Sequence, residues 1–221
     1  MINDLVKIFG TKTKALEILY LLNDVKPVVR HGFYDGELSL IEEFCKLNNL
    51  HLEKSSFKVV ILDAEEGEYS NKGIKVDISD PRKGMLFIYI SKDENLAKSA
   101  VSYEKNNNHK NLGLILGYPE CCTEFFIKYE PVKSQLTNDY VDIVLKNSNG
   151  NKFQFYTNIC KRDFDITLLN HFPCSFNCKK SIDIAKRHID VLRKYEPELA
   201  KDFIKKLKCK VNIDGKEIEF C

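Results

Sequence analysis

Two short stretches carry the chemistry-bearing residues. Gly117-Tyr118-Pro119-Glu120-Cys121-Cys122 and His171-Phe172-Pro173-Cys174-Ser175-Phe176-Asn177-Cys178 hold four of the eight cysteines and one of the five histidines. A thiolate is a soft metal ligand and a strong nucleophile. Pro119 suits the first position of a helix, which puts Cys121 and Cys122 in a first turn. Unbonded amides and the positive end of the helix dipole stabilise a thiolate there. Cys174 and Cys178 are four apart, so a helix beginning near Pro173 would turn both sulfurs to one face. Two helix starts aimed at one point suit an anion, and a thiolate-ligated cluster is one.

The leading expectation is an iron–sulfur centre, of the 4Fe-4S type, with Cys121, Cys122, Cys174 and Cys178 as ligands. Zinc is the alternative metal, although contiguous cysteines depart from the usual zinc spacing of two to four residues between ligands. Metal-free thiol chemistry is a third reading and would need a bridge between the stretches, such as Cys122 to Cys174. His171 is the candidate catalytic residue, as an accessory ligand or a proton donor. Glu120 and Glu124 flank the cysteine pair and read first as partners of the helix dipole, with general-base duty the lesser alternative. Cys45 lies among apolar residues at helical spacing and reads as core. Cys160 reads as core before it reads as a fourth or resolving thiol, and Cys209 and Cys221 are left outside the site.

The elements that must position these residues fall into two halves. Helices are expected over 2–9 and 13–23, as an N-terminal arm of residues 1–24 that packs on the body or docks on a partner. A single domain is expected to fill 25–221, with the cysteine motifs in 110–190. Its first half offers a short strand at 28–29, a helix from Asp35 to about Asn48, and strands at 57–62, 73–78 and 85–90, then a helix to about Lys105. The second half is helical: 111–116, 119–129, 134–146, 178–195 and 196–208. A strand is expected at 152–156, and Asp214-Gly215 marks a closing hairpin over 211–220. The fold class is α+β, a small, mostly antiparallel sheet in the N-terminal half and a helical C-terminal half that carries the cysteine site.

A chain of 221 residues with 43% hydrophobic and 30% charged content has the makings of an ordinary globular core. The formal charge of +2 excludes a strong global grip on nucleic acid. Lysines and arginines nevertheless crowd the last third, so an RNA contact through the basic C-terminal helices is a candidate interaction beside the simpler reading of solvated helix faces. No apolar run reaches the roughly 18 residues of a membrane span, and Met1-Ile2-Asn3-Asp4 lacks the start of a signal peptide. The expected location is the cytoplasm, with no membrane contact, where eight cysteines suggest metal or thiol chemistry rather than disulfides.

Leu116-Gly117-Tyr118-Pro119-x-Cys121-Cys122, with Phe125-Phe126 after it, and His171-x-Pro173-Cys174-Ser175-x-x-Cys178-x-x-Ser181 resemble the motifs of a mainly archaeal family, domain of unknown function 483. The resemblance implies that Cys121, Cys122, His171, Cys174 and Cys178 belong together, and it supplies no reaction.

Two functions of different class follow. One is a cytoplasmic iron–sulfur or other metal-binding protein, an enzyme of redox or sulfur chemistry on a small-molecule or sulfur substrate. The other is a non-catalytic scaffold or adaptor that binds a partner protein through its N-terminal helix and tRNA through its basic helices, with structural cysteines.

Overall fold

The structure, a computed structural model, describes residues 1–62, 73–136 (the backbone alone for 133–136), 139–161, 165 and 167–221. In order come α1 (Ile2–Phe9), α2 (Lys12–Leu22), β1 (Val28–Phe33), α3 (Asp35–Leu47), β2 (His51–Ile61), β3 (Gly73–Asp77), β4 (Met85–Ser91), α4 (Glu94–Lys105), α5 (His109–Ile115), α6 (Glu120–Leu136) and α7 (Val141–Lys146). Then follow β5 (Lys152–Phe153), a 3-10 turn (Phe155–Thr157), α8 (Lys179–Tyr195), α9 (Pro197–Leu207), β6 (Lys210–Ile213) and β7 (Lys216–Phe220). This is the α+β fold expected.

The first sheet has the order β1-β4-β2-β3, and every pairing in it is antiparallel. Successive side chains of a strand face opposite sides, and both sides of this sheet are covered. Val29, Phe33, Ile88 and Ile90 join the main core with α1, α2 and α3, while Val28 and Tyr89 pack with Ala100 of α4 and Leu112 of α5. Coverage on both faces explains why β4 reads as a near-continuous apolar run. Arg30 and His31, neighbours on β1, accordingly meet different helices: Arg30 reaches Glu104 of α4 and His31 reaches Glu17 of α2.

Local caps fix the helix starts. Thr11 Oγ1 accepts the Lys14 amide at 3.2 Å, Asp93 accepts the Asn95 and Leu96 amides, and Asn108 accepts the Asn111 amide. α2 is buried along Ala15–Leu21 and belongs to the main core.

The boundaries differ from expectation in four places. β1 extends from 28 to 33 because its whole length pairs with β4. β2 begins at His51, since its first half also pairs with β4 before a register shift between Lys54 and Lys58. α6 runs on past Tyr129 through Pro131 to Leu136, and the expected helix over 134–146 is therefore the end of α6 plus α7, with its residues 137 and 138 outside those described. The strand expected at 152–156 shrinks to two residues, parallel to β7, because Phe155 already turns into the 3-10 segment. The Asp214-Gly215 hairpin stands as read, with φ of 49° and 78°.

Candidate metal centre

α5 ends in a reversal that aims the start of α6. Gly117 has φ 84°, the Tyr118 amide donates to the Gly113 carbonyl at 2.9 Å, and the Gly117 amide donates to Leu114 at 3.0 Å. This crossed pair of bonds is the Schellman closure, and the left-handed residue in it favours glycine. Lys26 Nζ adds a bond to the Leu116 carbonyl at 3.3 Å, a cation at a helix C-terminus. Two residues later Pro119 accepts the Cys122 and Thr123 amides at 2.9 Å each, and α6 begins with Cys121 and Cys122 in its first turn.

The second stretch arrives differently from expectation. Residues 171–178 are not helical, and α8 starts at Lys179 with Cys178 as its N-cap. Three contacts hold the segment off the helix. Phe176 is buried against Phe153 and Phe220, its amide donates to Ser148 Oγ at 2.8 Å, and Asn177 Oδ1 accepts the Asn149 amide at 2.8 Å. Cys174 therefore approaches from a bend ahead of α8 rather than from the face of a helix.

The four sulfurs nonetheless converge. All four Sγ atoms of Cys121, Cys122, Cys174 and Cys178 lie within 4.8 Å of one another, a set that could hold a metal ion. Cys121 is 3.9 Å from both Cys122 and Cys178, and Cys122 is 3.6 Å from Cys178. The first turn of α6 and the N-cap of α8 both contribute to the cluster. The thiols share protons unequally. Hydrogen bonds from Cys122 and Cys174 hold the Cys178 thiol far below its usual range. The same contacts, with burial, push Cys122 up, and Cys174 is pushed up to about 12 by Cys178 and burial against the opposing effect of Cys122. The cluster without metal thus concentrates its negative charge at the α8 N-terminus, and a cation entering it displaces the remaining protons.

Around the sulfurs, the Cys174 amide donates to Cys122 Sγ at 3.3 Å. Ser181 Oγ lies 3.3 Å from Cys122 Sγ and 2.9 Å from His171 Nε2. Burial and the nearby Lys26 ammonium lower His171 to about 3, so its imidazole is neutral. With an ionised Cys122, Ser181 donates its proton to the sulfur and accepts from His171 Nε2–H. His171 therefore touches the cluster through Ser181 and offers it no ligand atom. Glu120 and Glu124 turn outward to Lys110, at 3.1 and 3.3 Å. Cys45, Cys160, Cys209 and Cys221 stand apart from the cluster, and Cys45 is pushed up to about 12 by burial and Glu42. Among the described residues no disulfide forms.

Beside the centre lies a cavity of about 560 Å³, with Cys122 and His171 in its wall. It sits at the free edge of β1, between α2, α5, the start of α6, and residues 159, 161, 165, 167 and 169–172. Its floor is charged. Glu17 Oε2 is 3.0 Å from Lys26 Nζ, with both side chains about 5% exposed or less, and Oε1 is 2.8 Å from His31 Nε2. Burial opposes ionisation of Glu17, but Lys26 and His31 prevail and bring it down to about 2. Arg30 grips Glu104 through Nε and Nη2, and Tyr89 donates to the same carboxylate at 2.6 Å. The motifs give no hint of this floor, because all its members come from the N-terminal half. One signal was present: Glu17 interrupts the apolar run Ala15–Leu21, where a carboxylate must find a buried cation.

Among the described residues, no helix is long and apolar enough to cross a membrane. A family model described as "Protein of unknown function (DUF483)" matches residues 93–208, just over half of the chain, and spans both cysteine stretches. No curated protein and no solved structure matches.

Proposed function

Since the chain belongs to the DUF483 family, which brings no activity with it, we propose its function from the site alone: a metal-binding protein whose four cysteines close on a single zinc ion. The observation that carries this reading is the sulfur spacing. Thiolates about 2.3 Å from one tetrahedral ion stand about 3.8 Å apart; Cys121, Cys122 and Cys178 are separated by 3.6, 3.9 and 3.9 Å, and Cys174 lies within 4.8 Å of each. A four-iron cluster puts each thiolate on its own iron, roughly 6 Å from the next, so the iron–sulfur reading requires these four residues to spread.

With four protein ligands the ion has no open position, which is the mark of a structural site. Zinc then ties the start of α6, the 171–178 segment and the start of α8 into one wall of the cavity, and thiolate ligation suits a reducing compartment such as the cytoplasm. The test is metal and acid-labile sulfide content of protein purified without oxygen. One zinc per chain and no sulfide is the expected result. Iron with equivalent sulfide and absorption near about 400 nm would replace this reading with a redox or sulfur-chemistry protein, and the absence of any metal would replace it with thiols acting alone.

A further inference from the structure

The cavity beside the metal centre has a lopsided hydrogen-bonding inventory. Its carboxylates are engaged: Glu17 by Lys26 and His31, Glu104 by Arg30 and Tyr89, and Asp165 Oδ2 by the Lys12 amide at 2.7 Å. Its donors are not. Arg30 spends two of its five N–H groups on Glu104. Asn170 Nδ2 is buried without a partner. Among the described residues, neither the Lys161 ammonium nor the His109 imidazole has a polar partner. His109 is exposed, which places it at the mouth, whereas Glu17 and Glu104 are buried at the floor. Between mouth and floor the walls are apolar, with Leu112, Phe126, Leu169 and Phe172.

Buried donors without acceptors cost free energy until something accepts from them, and the volume is that of a small-molecule site. We propose that this cavity binds a small organic oxyanion, a carboxylate or phosphate ester on an apolar body. The oxyanion accepts from Lys161 and His109 towards the mouth, the body lies against the phenyl rings, and Arg30 and Asn170 offer further donors deeper in the cavity. Cys122 contributes wall and not ligand contacts, so the proposal holds whichever metal the cysteines carry.

The test is isothermal titration of the full-length, metal-loaded protein with phenylacetate and phenyl phosphate, beside neutral phenylethanol and cationic phenethylamine. Saturable binding of one or both anions, at least tenfold tighter than the neutral and cationic probes, is expected, and the ratio of the two anions identifies the headgroup. Lys161→Gln and His109→Gln, both at partly or fully exposed positions, should each weaken the anion roughly tenfold or more without changing metal content, while Lys201→Gln on α9 leaves it unchanged. Equal affinity for the neutral probe, unchanged affinity in both cavity variants, or no binding of either anion up to about 10 mM would overturn the proposal. Metal content is read separately, so a failure here is distinct from a failure of the zinc reading.

Discussion

Tyr20 lies flat on His188, their rings 3.9 Å apart and 3° from parallel, so the second helix of the chain is stacked directly on α8. The histidine is fixed by a second contact, Nδ1–H donating to the Leu168 carbonyl at 2.8 Å. This pair couples the N-terminal helices to the element whose first residues cap the metal centre.

The coupling should be sensitive to acid. Burial lowers His188 to about 4, and its folded value therefore lies below its unfolded one. The stability this contributes is fully present above the unfolded value of about 6.5 and is lost as pH falls toward 4. Glu17, held to about 2, extends the loss from about 4.5 downward. His171, lowered to about 3 by burial, titrates in the same window, so His188 contributes on the order of 2 kcal/mol of a larger drop in urea unfolding between about pH 7 and 5. His188→Phe should remove that share relative to the parent at equal metal content and leave the His171 share and the decline below it. Parallel pH profiles for the two proteins would remove His188 as the cause.

Ser181 is expected to tune the centre without being a ligand. Its hydroxyl is the group between His171 and Cys122, and partners of this kind typically change metal affinity by 10- to 100-fold. Ser181→Ala should weaken metal binding by about that factor in a competition with a chromogenic chelator. Cys122→Ser and Cys178→Ser should abolish stoichiometric binding, and Cys45→Ala should retain it. Full metal content in the two ligand variants would show that the cluster is not the site.

The closeness of α5 and α6 rests on a missing methyl group. A Cβ on Gly113 would stand 2.6 Å from Thr123 Oγ1 and 2.7 Å from its Cγ2, and Thr123 adjoins Cys122. Gly113→Ala should destabilise by about 1–3 kcal/mol, the usual cost of overpacking. Thr123→Ala in the same chain should recover most of it, as read by denaturant midpoints. A double variant no better than the single would place the strain elsewhere.

What the sequence revealed follows from how local each signal is. Pro119 placed Cys121 and Cys122 in a first turn because a helix start is a local event, and the Asp214-Gly215 turn is local for the same reason. The helix that would turn Cys174 and Cys178 to one face does not form, because the segment's conformation is set by Ser148, Asn149 and the Phe153–Phe220 pocket, contacts that sequence spacing does not encode. The two-residue β5 is equally non-local, since its parallel partner is at the chain's end. The cavity was invisible for the strongest reason: Glu17, Lys26, Arg30 and His31 of its floor lie some 90 residues or more before Cys122 of its wall.

That floor makes the sharpest energetic prediction. Glu17 and Lys26 are 4% and 5% exposed, so each charge depends on the other for what water would otherwise supply. Removing one partner leaves a buried charge uncompensated, at about 3–5 kcal/mol, whereas removing both leaves only lost packing and the weaker contact to His31. Lys26→Met alone should therefore lower stability by about that amount and raise the Glu17 pKa, shifting the acid transition upward. The pair Lys26→Met with Glu17→Gln should be less damaged than the sum of the single variants. Lys26 also bonds the Leu116 carbonyl and lies 5.1 Å over Tyr118, so its loss loosens the turn that aims Cys121 and Cys122. Metal affinity measured beside stability separates the effects: if the double variant regains stability but not affinity, Lys26 positions the cysteine turn as well as neutralising Glu17. If the single variants add without coupling, the ion pair is not the interaction that holds the floor together.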